Sequence, residues 1–192
     1  MRRITIAVAA LASLVLIGCS DTMNTNNSNT AMMNTNQTAN PSPVRDAALT
    51  SSDRSFLTEA AAGGMAEVAL GRLASQKAQN ADVRRFGERM VTDHSKANSD
   101  LKELATSKNV TVPAEPSAEQ KADIDKLSKM SGPAFDREYM KMMVEDHDKD
   151  VKAFQDQANG ASDADVKSFA SKTLPTLQEH QKMAHDIAGR LK

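Results

Sequence analysis

The sequence predicts an all-α protein whose globular part is a four-helix bundle with a long crossover between its second and third long helices. From residue 51 onward, apolar residues recur at alternating spacings of three and four, the period of helices packed along a coiled-coil-like seam. Four such seams of similar length follow one another. The stretch between the second and third is too long and too rich in proline to be a tight turn.

The first helix opens near Ser51, Ser52 and Asp53, any of which can cap it, and its seam reads Phe56, Ala60, Gly63, Glu67, Leu70, Ala74. Acidic residues near its start suit the macrodipole. Asn80 marks the first turn, and the second seam follows as Val83, Gly87, Met90, His94, Ala97, Leu101, Leu104. Val110 to Pro116 holds two prolines and is a loop. Ser117, followed by Glu119 and Gln120, starts a short helix running to about Met130, and Ser131-Gly132-Pro133 stops it and launches the third long helix. That helix carries Met140, Val144, His147, Val151, Phe154 and Ala158, and Asn159-Gly160 closes it. Ser162 or Asp163 caps the last helix, with its seam at Val166, Ala170, Thr173, Leu177, His180, Ala184, Ile187 and Leu191. The long 109–133 connection, set between two tight turns, is the crossover that ferritin-like bundles use. Pro175 interrupts the last helix one turn before His180. It is either a tolerated irregularity or a kink that aims His180 at the centre.

Three of the four histidines fall on seams near the middle of their helices, and a glutamate does so in the remaining one. Glu67, His94, His147 and His180 therefore meet in one layer. Imidazole and carboxylate donors suit one zinc, copper or iron ion, and a His₃Glu set can close a tetrahedral shell. The competing reading is a structural polar layer, hydrogen-bonded internally and to water, that fixes helix register. Asp93, Asp146 and Glu179 each precede a histidine and sit about 100° around the helix from it. They are expected to orient the ligands from behind or to pair with a neighbouring helix. His185 lies off the seam and is expected at the surface.

An internal echo supports the layer. Arg84-Arg85-Phe86 with Met90-Val91-Thr92-Asp93-His94-Ser95-Lys96 aligns, at an offset of 53, with Arg137-Glu138-Tyr139 and Met143-Val144-Glu145-Asp146-His147-Asp148-Lys149. Duplication or shared helical composition can produce it. Either way, Asp-His falls at one depth on two helices.

The amino-terminal part reads differently. Arg2 and Arg3 precede an apolar stretch from Ile4 to Ile17, too short for a comfortable membrane span and fitting an export signal over residues 1–18. Leu16-Ile17-Gly18-Cys19 resembles the lipobox of bacterial lipoproteins, which implies cleavage before Cys19 and its lipidation. Ser20 after it implies sorting to the outer membrane, on the periplasmic side. Cys19 is the only cysteine, so no intramolecular disulfide can form. Residues 19–50 are rich in Asn, Thr and Ser and nearly uncharged, as expected of a disordered tether before a domain spanning 51–192. Met23, Met32 and Met33 are either soft Cu(I) ligands or compositional drift. Removing residues 1–18 takes away two arginines and lowers the formal net charge from −1 to −3. With no basic cluster, no tryptophan, one tyrosine and five phenylalanines, the chain has little with which to bind nucleic acid.

Met-Val-x-Asp-His in the second helix, the run Ser131 to Tyr139, and Thr173-Leu174-Pro175 followed by His180 together resemble domain-of-unknown-function family 4142. This is a set of exported bacterial proteins often labelled outer membrane proteins. The resemblance covers roughly residues 50–190 and implies a ferritin-like fold in a periplasmic setting. It implies no activity. A di-iron centre is disfavoured on the residues themselves: that pattern needs Glu three before the histidine, where this chain has Val91, Val144 and Leu177. No phosphate loop or nucleophile elbow is present to support an enzyme. Two readings of function follow. One is a tethered periplasmic binding module holding a single metal ion. The other is a non-enzymatic envelope interaction or stress protein that docks partners through a charged face including Lys141, Asp148, Lys149, Asp150 and Lys152.

Overall fold

The computed structural model describes residues 49–191. The expected export signal, the lipidation site Cys19, the methionines of the tether and most of the tether itself lie outside them. The all-α expectation holds: the described residues form five helices and no strand. These are α1 (Ser51–Lys77), α2 (Ala81–Ser107), α3 (Ala118–Ser128), α4 (Gly132–Gly160) and α5 (Ala164–Ala188). None of them is long and apolar enough to cross a membrane.

Local chemistry sets the helix ends. The cap of α1 is Thr50, one residue before the expected positions: its hydroxyl accepts from the Asp53 N–H at 3.1 Å while the Asp53 carboxylate accepts from the Thr50 N–H at 3.0 Å. This reciprocal box satisfies two amide donors that would otherwise lack partners. Asn80 and Asp163 cap α2 and α5 through their side chains, and Ser117 builds a second capping box with Gln120. Gly132 takes a positive φ of 61°, a conformation that favours glycine, and Pro133 follows it inside the first turn of α4. The helix α5 runs unbroken through Pro175.

Short turns make hairpins of α1 with α2 and of α4 with α5, and each hairpin packs along its length. The hairpins meet more sparingly, through α2 against α5 and α1 against α4, and α3 lies against α1. Gly71 and Gly87 permit the closest approach of α1 to α2: a Cβ on Gly87 would stand 2.7 Å from the Gly71 carbonyl oxygen. The turn between α1 and α2 is held from α4, where the buried Asp136 carboxylate accepts from the N–H groups of Gln79 at 3.0 Å and Asn80 at 2.8 Å. Lys108 at the end of α2 reaches Asp163 and Asp165 at the start of α5.

The core is two apolar clusters. One is built on Leu57, Leu101, Phe154, Val166 and Leu177. The other contains Leu70, Phe86, Met90, Phe135, Tyr139 and Met143. Burying each such side chain contributes about 1.5–3 kcal/mol. Glu67, His94, His147 and His180 lie between these clusters in sequence on their own helices, so a polar layer is closed off by dry packing at both ends. The predicted seams are narrower than the buried stripes. Phe86 and Tyr139, off the predicted seams, are fully buried, and their rings meet at a centroid distance of 6.2 Å.

Candidate metal centre

Long helices with a three-and-four apolar repeat leave one inward position per helix at the mid-depth of the core, and here all four are polar. Glu67 of α1, His94 of α2, His147 of α4 and His180 of α5 are each 5% exposed or less. The imidazole centroids lie 5.2–5.7 Å apart. One nitrogen of each ring lies within 4.8 Å of the others. Phe86 closes the layer from one side, its ring edge-on to those of His147 and His180.

Each ring is held from behind by an oxygen. His94 Nδ1 is 2.9 Å from Glu67 Oε2, His147 Nδ1 is 2.9 Å from the Met143 carbonyl oxygen, and His180 Nε2 is 2.8 Å from Asp93 Oδ2. The Met143 carbonyl and the ionised Asp93 carboxylate can only accept, so His147 Nδ1 and His180 Nε2 carry the proton and donate, and His94 Nδ1 does the same toward Glu67 when that carboxylate is ionised. Burial drives His94 and His180 down to about 4, against the opposing charges of nearby aspartates. It lowers His147 too, against the pull of Glu67. The rings are neutral at physiological pH, and the second nitrogen of each bears a lone pair.

Those lone pairs accept from no protein donor. His94 Nε2, His147 Nε2, His180 Nδ1 and Glu67 Oε1 are all buried without a hydrogen-bond partner. Glu67 Oε1 stands 3.5 Å from His147 Nε2, with no hydrogen bond between them. Two acceptors at that distance repel unless a proton or a cation lies between them. Donors on one tetrahedral ion with bonds of 2.0–2.1 Å stand about 3.3 Å apart, close to this separation. The 4.8 Å limit for the rings requires a modest inward movement of the imidazoles.

The residues expected behind the ligands divide. Asp93 holds His180 and is itself held by Arg89 at 3.1 Å. Burial alone would raise Asp93, but His180 and Arg89 outweigh it and keep it below the usual carboxylate range. Glu179 touches no histidine: it pairs with Arg89 on the exposed side of that chain of contacts. Asp146 is half-buried and makes no hydrogen bond to a histidine. Its carboxyl is raised by burial despite Lys149. His185 is exposed, as expected, and pairs with Asp148 at 2.9 Å.

Sequence reasoning misassigned Asp150. It was grouped with an exposed charged face, and Lys141, Asp148, Lys149 and Lys152 do lie at the surface. Asp150 instead turns toward Glu67, and burial, followed by the Glu67 charge, pushes its carboxyl well above the usual range. Glu67 is raised to about 7 by burial, with His147 opposing. Burial thus draws both carboxyls toward their protonated forms. Position 150 is three residues after His147, on the same helix face, and that spacing was the available signal. A cavity of about 30 Å³, bounded by Glu67, His94, Asn98, Asp150 and Thr173 among others, adjoins the layer and can hold a water molecule or two.

The structure is similar to a DUF305 fragment from Deinococcus radiodurans, with a TM-score of 0.66 at 14% identity, covering 75% of this chain and 99% of that one. It is also similar to a DUF305 protein from Streptomyces coelicolor, with a TM-score of 0.61 at 13% identity, covering 73% and 93% of the two chains. At such identities the likeness is one of fold. No curated protein matches the chain. Residues 38–187 match the domain of unknown function DUF4142, and the chain belongs to that family.

Proposed function

We propose that this protein is a periplasmic metal-binding module, a ferritin-like four-helix bundle tethered to the membrane through a lipid on Cys19. His94, His147 and His180 supply three nitrogen donors to a single zinc, copper or iron ion, and Glu67, with Oε1 3.5 Å from His147 Nε2, completes the set by turning away from His94 Nδ1. The observation that carries this reading is the convergence of three buried imidazoles, each with an unpartnered nitrogen, with Glu67 Oε1 beside one of them, between two apolar clusters. In a purely structural layer water would have to satisfy these acceptors, and the adjoining cavity is lined by Glu67 and His94 but not by His147 or His180. The hydrogen bonds present are spent on the outer nitrogens, the arrangement that fixes ring orientation for a metal. Neutral rings need no deprotonation before binding.

Elemental analysis of the protein, purified without a polyhistidine tag, tests this directly beside His94→Ala and His147→Ala. Near one ion per chain in the wild type, lost in both variants, is the expected result. Wild-type protein that stays metal-free after exposure to Zn²⁺, Cu²⁺ and Fe²⁺ would make the layer structural. It would shift attention to envelope partners of the exposed face around Lys141, Asp148, Lys149 and Lys152.

A further inference from the structure

On the side of the molecule where α1 and α4 make only sparse contact, α3 overhangs a groove of about 550 Å³. Small residues keep it open: Ala60, Gly63 and Ala66 on α1 face Ala153 on α4, and the Gly63 position has free space toward Gln120 of α3. Eight of the lining side chains are acidic and three are basic, in a chain whose formal net charge is only −1. Two of the lysines are engaged at the rim, Lys126 with Glu138 at 2.6 Å and Lys141 with Glu145 at 3.9 Å. Among the described residues, Asp123, Asp146 and Asp150 form no ion pair with a lysine or arginine. Glu67 is common to the groove and the histidine layer: it lines the groove, is 4% exposed, and carries the unpartnered Oε1 beside His147.

We propose that this groove is the approach by which a divalent cation reaches the histidine layer, with Glu67 at its inner end as the ligand that takes the ion first. The inference rests on the metal-binding reading above. A cleft with an excess of one sign of charge, here eight acids against three lysines, concentrates the opposite ion and raises its association rate. A hydrated cation gives up its water reluctantly, and the layer beyond is buried. Carboxylate oxygens along the way replace that water stepwise before the imidazoles do. The far side offers no such route, because His180 is covered there by Asp93 and the Arg89 guanidinium, which repels cations.

Stopped-flow loading of the metal-free protein with Co²⁺, followed by the visible absorption of the bound ion, tests the proposal. In the double variant Asp123→Asn/Glu145→Gln, the loading rate constant should fall roughly tenfold at low ionic strength and approach the wild-type value at high salt. Its equilibrium affinity should stay within about twofold of wild type, since steering acts on association far more than on the bound state. The control Asp100→Asn/Asp186→Asn, which removes two exposed charges on α2 and α5 outside the groove, should load at the wild-type rate. Unchanged kinetics in the groove variant, or equal slowing in the control, would overturn the groove while leaving the site intact. Failure of the wild type to take up cobalt at all would remove both the site and its approach.

Discussion

The acid response of the metal-free protein should be governed by an opposition between the buried histidines and Glu67, and Glu67→Gln isolates it. His94 and His180 bind protons in the unfolded chain near 6.5 but in the folded protein only near 4. Between those values the unfolded state holds more protons, so stability falls as pH falls. At about 1.4 kcal/mol per pH unit, each of these two histidines removes about 2 kcal/mol on going from pH 7 to pH 5. Glu67 has the reverse sign: its folded value is about 7 against 4.5 unfolded. The folded state therefore takes up a proton first, returning about 2 kcal/mol over the same interval. Asp150, raised as well, works in the direction of Glu67. His147, lowered as well, adds to the histidine side, so with two histidines set against Glu67 the wild type should lose about 2 kcal/mol from pH 7 to pH 5. Glutamine keeps the shape and an oxygen for the His94 N–H but cannot take up the proton. Glu67→Gln should lose about 2 kcal/mol more than wild type across that range, a large share of a typical domain's stability. Urea unfolding followed by circular dichroism at pH 7, 6 and 5, in chelator-treated protein, measures the difference. Parallel stability curves for the two proteins would refute the assignment of proton uptake to Glu67.

Two further outcomes follow from packing. Gly87→Ala should destabilise by about 1–3 kcal/mol, despite alanine's better helix propensity, because its Cβ meets the Gly71 carbonyl and the Ala74 Cβ at 2.7 Å. Gly160→Ala, with nothing within 4 Å, should be neutral or slightly stabilising, and thermal melts of the pair separate overpacking from propensity. Asp136→Ala strands the N–H groups of Gln79 and Asn80 and should cost on the order of 2–4 kcal/mol, about 1–2 for each lost charged partner. Amide hydrogen exchange should show the loss concentrated at the turn between α1 and α2.

Much of this molecule was legible before its structure. Helical periodicity alone placed Glu67, His94, His147 and His180 at one depth, because a seam position fixes both the direction and the height of a side chain. The capping residues Asn80, Ser117 and Asp163 and the short crossover helix were legible from local chemistry. What escaped was set by the third dimension. A strict seam counts the narrow stripe of a coiled coil, whereas helices that cover a core from two sides bury wider faces. For that reason Phe86 and Tyr139 were left off the seams, although the internal echo had paired them. Asp150 was read as a surface charge because its neighbours on α4 are charged, although its place three residues after His147 puts it on the face of the layer. The division of the acids preceding the histidines was also beyond the sequence. All three have the same spacing, yet only Asp93 finds a histidine on a neighbouring helix.

The unequal contact within and between the hairpins has a mechanical consequence. Each hairpin is closed along its own length, while the surface joining the two is thinner and carries the polar layer at its middle. A single ion there would be bonded to α1 and α2 on one side and to α4 and α5 on the other, acting as a clasp across the weakest joint of the molecule. Its binding energy would then appear as resistance of the two halves to parting, with little change in the helicity of either. Such a protein would report occupancy through its stiffness, signalling the presence of the ion by how readily its halves separate.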